Sequence, residues 1–189
     1  MENLSKGEIM IKVIAFDLVG VLVNEKDIEL TKEEEKLERM FGPNIDDAGY
    51  MQEARKIFDK DSILMRTTED LIEKLYKVRT ENLFKNIKEK NNDIRIIIAT
   101  NHVSFVRGFI GENLEADYLD DVLISAEIHK IKPNSDFYEH ILNKFNIKPE
   151  ELLFVDDNIE NVKGAEKLGI KTIKVNKDTD ILKEVEKFI

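Results

Sequence analysis

The chain is 189 residues long, a little more than one domain's worth at roughly 150 residues per domain, and at 42% hydrophobic it can bury a sizeable core. Its 39 acidic residues against 29 basic ones give a net charge of -10, which repels phosphate backbones and anionic lipid and disfavours a nucleic-acid or membrane-surface partner. It has no cysteine, so disulfides, thiolate metal sites and cysteine nucleophiles are excluded and any chemistry must use oxygen and nitrogen.

Met1 to Met10 lacks the apolar stretch of a signal peptide, and no run approaches the ~18 apolar residues of a membrane span, so a cytoplasmic location is expected. Ile11 to Phe16 is the first of five short, β-branched apolar runs; the others are Ile94 to Thr100, Asp121 to Ser125, Leu152 to Val155 and Thr172 to Val175. Such near-continuous apolarity fits strands covered on both faces of a parallel sheet. The gap after the first run is far longer than an ordinary crossover. Within it, Thr31 to Phe41, Ile45 to Phe58 and Thr68 to Lys90 carry apolar residues at three- and four-residue spacing, with Gly42-Pro43 punctuating the first two. They predict a small helical cap over residues 24–80, the segment from about Asn82 rejoining the core. Glu33-Glu34-Glu35 reads as a solvated face near a helix N-terminus. Amphipathic stretches Val103 to Asn113, Asn134 to Phe145, Ile159 to Leu168 and Thr179 to Phe188 alternate with the later strands. The expected class is therefore α/β: a Rossmann-like, doubly wound parallel sheet formed by residues 1–23 and 81–189, with an inserted α-helical cap.

In open parallel sheets the ligand lies beyond the carboxyl ends of the strands. There the sequence places Asp17, Thr100-Asn101, Lys132 before a later helix, and Asp156-Asp157-Asn158. Taken singly, each has an ordinary reading: a turn aspartate, a helix cap, a surface lysine. Together, in chain order at successive strand ends, they suggest chemistry. An Asp closing a buried strand needs a partner, and a second carboxylate beside it calls for a divalent ion, for which oxygen-only ligation without cysteine or clustered histidine suits Mg2+. With Lys132 and the Thr100 hydroxyl, such a site suits a tetrahedral dianion that Asp17 could attack.

FDLVGVL, IIIATN, IKPNSDFY and FVDDNIENVKGAEKLGI together resemble the four motifs of the haloacid dehalogenase superfamily, especially phosphatase-like members with a small helical cap, and the likeness covers nearly the whole chain. The resemblance implies that Asp17 is the nucleophile, that Thr100 and Asn101 hold the phosphoryl group and that Lys132 stabilises its charge. It further implies Asp157 as a Mg2+ ligand beside Asp17, with Asp156 and Asn161 as supporting polar groups. A small phosphorylated substrate is expected, with the protein itself a monomer or homodimer.

One position departs from the pattern. Phosphatases of this superfamily usually carry a second Asp two residues after the nucleophile, as general acid and then base, and here that position is Val19. Its main-chain carbonyl could still ligate Mg2+, but its side chain moves no proton. The alternatives are a catalytically impaired phospho-ligand-binding or assembly protein, and a 2-haloacid dehalogenase-like hydrolase. His102, close after Thr100-Asn101, could line the site or supply a proton; His129 lies three residues before Lys132, and His140 falls inside an amphipathic helix.

Overall fold

The computed structural model describes residues 10–42 and 46–189. Strand β1 (Val13–Phe16) is wholly buried. After a tight turn comes β2 (Val23–Glu25), then helices α1 (Lys32–Glu38), α2 (Asp47–Ala54) and α3 (Asp61–Leu75), and β3 (Tyr76–Val78), which pairs antiparallel with β2. Helix α1 starts at a capping box, in which Thr31 Oγ1 accepts from the Glu34 amide and the Glu34 carboxylate accepts from that of Thr31. The acidic run Glu33-Glu34-Glu35 fills its first turn. Helix α2 opens on Asp46, whose side chain accepts from Gly49 N; Pro43, Asn44 and Ile45 lie outside the described residues. Helix α3 buries Leu64, Thr68, Leu71, Ile72 and Leu75, a stripe at helical spacing.

The amphipathic stretch from Thr68 to Lys90 is two helices separated by a strand, and its part from about Asn82 is the expected helix leading into the next strand of the core. Helix α3 begins earlier, at Asp61, and the chain turns extended at Tyr76 (φ -97°, ψ 148°) to form β3 before α4 (Leu83–Lys90). The insertion thus leaves and rejoins the core through a two-stranded ribbon rather than being helical throughout. Three residues are too few to show a two-residue period, and what stabilises β3 is its partner Val23–Glu25, which lies far away in sequence.

The core continues with β4 (Arg95–Thr100), α5 (Val106–Asn113), β5 (Asp121–Ile124), the short α6 (Ser125–Ile128), α7 (Ser135–Phe145), β6 (Leu152–Asp156), α8 (Ile159–Glu166), β7 (Lys171–Lys174) and α9 (Ile181–Val185). The five long-range strands form one parallel sheet in the order β5-β4-β1-β6-β7, matching the expected doubly wound class. Alternation sorts the central strands' side chains onto two faces. Ile14, Phe16, Ile96, Ile98, Leu153 and Val155 join one apolar cluster, while Val13, Ala15, Ile97, Ala99, Leu152 and Phe154 join the other. The first cluster runs on into the insertion through Leu37, Phe41, Tyr50, Leu64 and Leu71. After β5 the chain crosses back over β1 to reach β6, so the topological switch point, where ligands bind in such sheets, lies beside β1.

Candidate functional site

At that switch point the ends of β1, β4 and β6 converge. Asp17 extends the ladder by one residue, its amide donating to Val155 O at 2.8 Å. The crossover segment carries Lys132 into the gap, where its buried Nζ lies 2.8 Å from Asp17 Oδ1 and 2.7 Å from Asp156 Oδ2. Asp156 is further held by the amide of Asn158 at 2.7 Å and by Asn161 Nδ2 at 3.1 Å from both carboxylate oxygens. Asp157, exposed, turns its carboxylate toward the same point. Asp17, Asp156 and Asp157 each offer an oxygen, all within 4.8 Å of one another.

Two glycines make these approaches possible. Gly20, at φ +83°, sits so close to Asp157 that a β-carbon there would lie 2.3 Å from Asp157 Oδ2. Gly164 in α8 lets that helix press on the Lys132 segment: a β-carbon would come 2.7 Å from Pro133 O.

The charges explain how the groups titrate. Burial pushes the Asp17 carboxyl up to about 6, with Asp156 pushing the same way and Lys132 opposing. Burial, then Asp156, raises Asp157. Burial alone would lower Lys132, but its two carboxylate neighbours outweigh that and hold it above the ordinary lysine value. Three carboxylates against one ammonium leave net negative charge, and the donors are all oxygens. This fits a hard divalent cation, which would supply the missing positive charge.

The other expected residues fall into place differently. Thr100 ends β4, buried. The side-chain amide of Asn101 is occupied by the main chain of Lys132, accepting from its N at 3.0 Å and donating to its O at 2.9 Å. Asn101 therefore fixes the segment that delivers Lys132. Val19 sits half-buried in the turn after Asp17, its side chain packed against the core cluster and its backbone bridged to Val23.

His102 is directed into the interior. Its Nδ1 meets Val103 O at 3.1 Å and its Nε2 meets the Tyr76 hydroxyl at 2.9 Å, while its ring lies 5.1 Å from that of Phe41. Both nitrogens are engaged, as in a neutral ring, and burial lowers its pKa to about 4. His129 and His140 lie outside the cluster: His129 ends α6 in a left-handed conformation, and His140 lies within α7.

The buried histidine predicts a pH effect on stability. Its folded pKa lies below the unfolded value near 6.5, so the unfolded chain binds more protons and stability falls as pH drops through this window. Between pH 7 and pH 5 the loss should be about 2 kcal/mol. Asp17, raised instead, acts in the opposite sense, so the measurement is the difference between wild type and His102→Gln in urea unfolding at the two pH values. An equal pH response in both proteins would contradict a buried neutral His102.

The fold and site place the chain among doubly wound α/β proteins with a carboxylate and lysine centre at the sheet's carboxyl edge. It belongs to the haloacid dehalogenase-like hydrolase family, whose model matches residues 14–175. It is 26% identical over 196 residues to the glyceraldehyde 3-phosphate phosphatase of Methanocaldococcus jannaschii, covering 89% of this chain and 86% of that protein. Its fold is that of a HAD-like hydrolase from Porphyromonas gingivalis (TM-score 0.71, 22% identity, 94% of this chain and 97% of that one). A HAD family enzyme from Bacteroides thetaiotaomicron, solved with magnesium and inorganic phosphate, is similar (TM-score 0.68, 20% identity, 90% and 96%). The chain also matches mouse bifunctional epoxide hydrolase 2, at 33% identity over 72 residues, but that match spans only 13% of that longer protein. Among the described residues no helix is long and apolar enough to cross a membrane.

Proposed function

We propose that this hydrolase is a Mg2+-dependent phosphatase acting on a small phosphorylated metabolite through an aspartyl-phosphate on Asp17. The observation that carries this reading is the Lys132 ammonium shared by Asp17 and Asp156, with Asp157 completing an oxygen cluster of net negative charge. The similarity to an archaeal phosphatase supports the substrate class.

In this reading Asp17 Oδ attacks phosphorus in line, the bond to the leaving oxygen breaks, and water later hydrolyses the acyl phosphate to release Asp17 and inorganic phosphate. Lys132 orients the Asp17 carboxylate and neutralises phosphoryl charge, and Thr100 with the Asn101 main chain bounds the phosphoryl pocket. Asp17, Asp157 and the Val19 carbonyl would hold Mg2+, which when bound screens the repulsion between nucleophile and phosphoryl group. Asp156, bound by Lys132 and Asn161, keeps the lysine in place. The insertion over residues 24–80 serves as the cap. It docks next to the phosphoryl loop, where Asp47 of α2 accepts from Ser104 N at 2.8 Å.

The test is hydrolysis of p-nitrophenyl phosphate with and without Mg2+, together with Mg2+ titration by calorimetry. Asp157→Asn should weaken Mg2+ binding by at least the roughly tenfold seen when even an outer partner of a metal is lost. Unchanged affinity would remove Asp157 from the metal site. Binding of Mg2+ and phosphate with no turnover of any ester would favour the ligand-binding alternative raised by Val19.

A further inference from the structure

Arg79 stands immediately after β3, where the insertion rejoins the core, and its amide extends the ribbon by donating to Leu22 O at 2.9 Å. Its guanidinium meets no carboxylate among the described residues. It donates instead to three main-chain carbonyls: Nη1 to Gly20 O at 2.9 Å, and Nη2 to Asn176 O at 2.5 Å and Thr179 O at 3.0 Å. Gly20 belongs to the turn after β1; Asn176 and Thr179 belong to the loop after β7. These are the two strands that flank β6, at whose end Asp157 sits.

We propose that Arg79 is a positioning residue for the metal site, tying the loops on either side of β6 together and so holding the Gly20 turn against Asp157, a role that rests on the metal-dependent reading above. The Gly20 peptide groups are fixed on both sides, its N–H donating to Val23 O at 2.8 Å and its C=O accepting from Arg79. Because Gly20 lies in direct contact with the Asp157 carboxylate, a shift of the turn displaces that oxygen donor and the adjacent Val19 carbonyl together. The planar guanidinium can hold acceptors from two loops at once, which an ammonium cannot do with the same geometry. Since Arg79 is also continuous with β3, the position of the insertion is transmitted to the metal ligands through one side chain.

The experiment compares the full-length wild type with Arg79→Met, Arg79→Lys and a control, Arg95→Met. Arg95 donates to Phe145 O and lies over the Phe145 ring, remote from the site, so its loss reports stability alone. By calorimetry, Arg79→Met should bind Mg2+ roughly tenfold or more weakly, Arg79→Lys should fall between it and the wild type, and Arg95→Met should match the wild type. Amide hydrogen exchange should quicken in the peptides holding Gly20 and Asp157 in Arg79→Met but not in Arg95→Met. Unchanged exchange in those peptides overturns the positioning role, as does unchanged Mg2+ affinity in a protein whose wild type binds the ion. A wild type that binds no Mg2+, with the exchange difference still present, would overturn the metal reading while leaving Arg79 as the holder of the Asp157 turn. Should Arg79→Met fail to fold, Arg79→Lys decides the matter by the same two measurements.

Discussion

Replacing Val19 with Asp should raise turnover of alkyl phosphates by roughly 10²- to 10⁴-fold, the usual contribution of general acid-base catalysis. An alkoxide leaves badly without a proton, whereas an aryloxide or carboxylate does not need one, so the wild type should favour aryl and acyl phosphates. His102 is no ready substitute donor, because both of its ring nitrogens are bonded, to Tyr76 and Val103. An Asp at position 19 would stand partly buried two residues from Asp17, and burial together with that neighbouring charge would raise its pKa and favour the protonated form that a general acid needs. The Val19–Val23 bridge is made by backbone and should survive the change, while the packing of the Val19 side chain on the core cluster is lost. Rates across a leaving-group series should depend steeply on leaving-group pKa in the wild type and become flatter in the variant. A flat wild-type series with no gain in Val19→Asp would mean that another group moves the proton or that phosphoryl transfer is not the reaction.

Lys132→Met should abolish measurable turnover and destabilise the protein by about 3–5 kcal/mol, the cost of leaving buried carboxylates without their cation. For a chain of this size that corresponds to a Tm lower by roughly 6–20 °C. The deficit should shrink as pH falls. The folded pKa of Asp17 already exceeds its unfolded value, so the folded state takes up a proton first and gains relative stability below about 6. Removing Lys132 removes the main influence that lowers that pKa and enlarges the effect. Mg2+ should also restore part of the loss by supplying positive charge at the same carboxylates. Urea unfolding at pH 7.5 and 5.5, with and without Mg2+, measures all three. A loss below 1 kcal/mol that ignores both pH and metal would contradict the charge cluster described above.

Much of the sheet could be read in the sequence because β1, β4, β5, β6 and β7 are short apolar runs, and residues at the end of such runs must lie at a sheet edge. That is why Asp17, Thr100, Asp156 and Asp157 could be singled out together. What could not be read depends on contacts between distant segments. Nothing local indicates that the Asn101 side chain faces the Lys132 main chain, since that pairing spans the crossover from β4 to α7. His102 looked available because it follows Thr100, yet the interior claims it through Tyr76, a residue of the strand hidden in an apparently helical run. Arg79 gave no sequence signal at all: its partners are carbonyls, which every residue has, and only the fold brings those of Gly20, Asn176 and Thr179 within its reach.

The ribbon of β2 and β3 sets how separable the insertion is. With Val23 opposite Val78 and Glu25 opposite Tyr76, the two ends of the inserted segment are neighbours across a single antiparallel pair. In connectivity, residues 26–75 could be excised and a two-residue turn could close the hairpin. In energy the same excision is far from neutral, because Leu37, Phe41, Tyr50, Leu64 and Leu71 share one continuous apolar cluster with Ile14 and Phe16. Removing them would expose that face of the sheet to water, at roughly 25 cal/mol for each Å² uncovered. The segment is thus modular for the chain's path and yet part of the same cooperative folding unit, so an exchange of this region between relatives would succeed only if the replacement brought its own matching apolar underside.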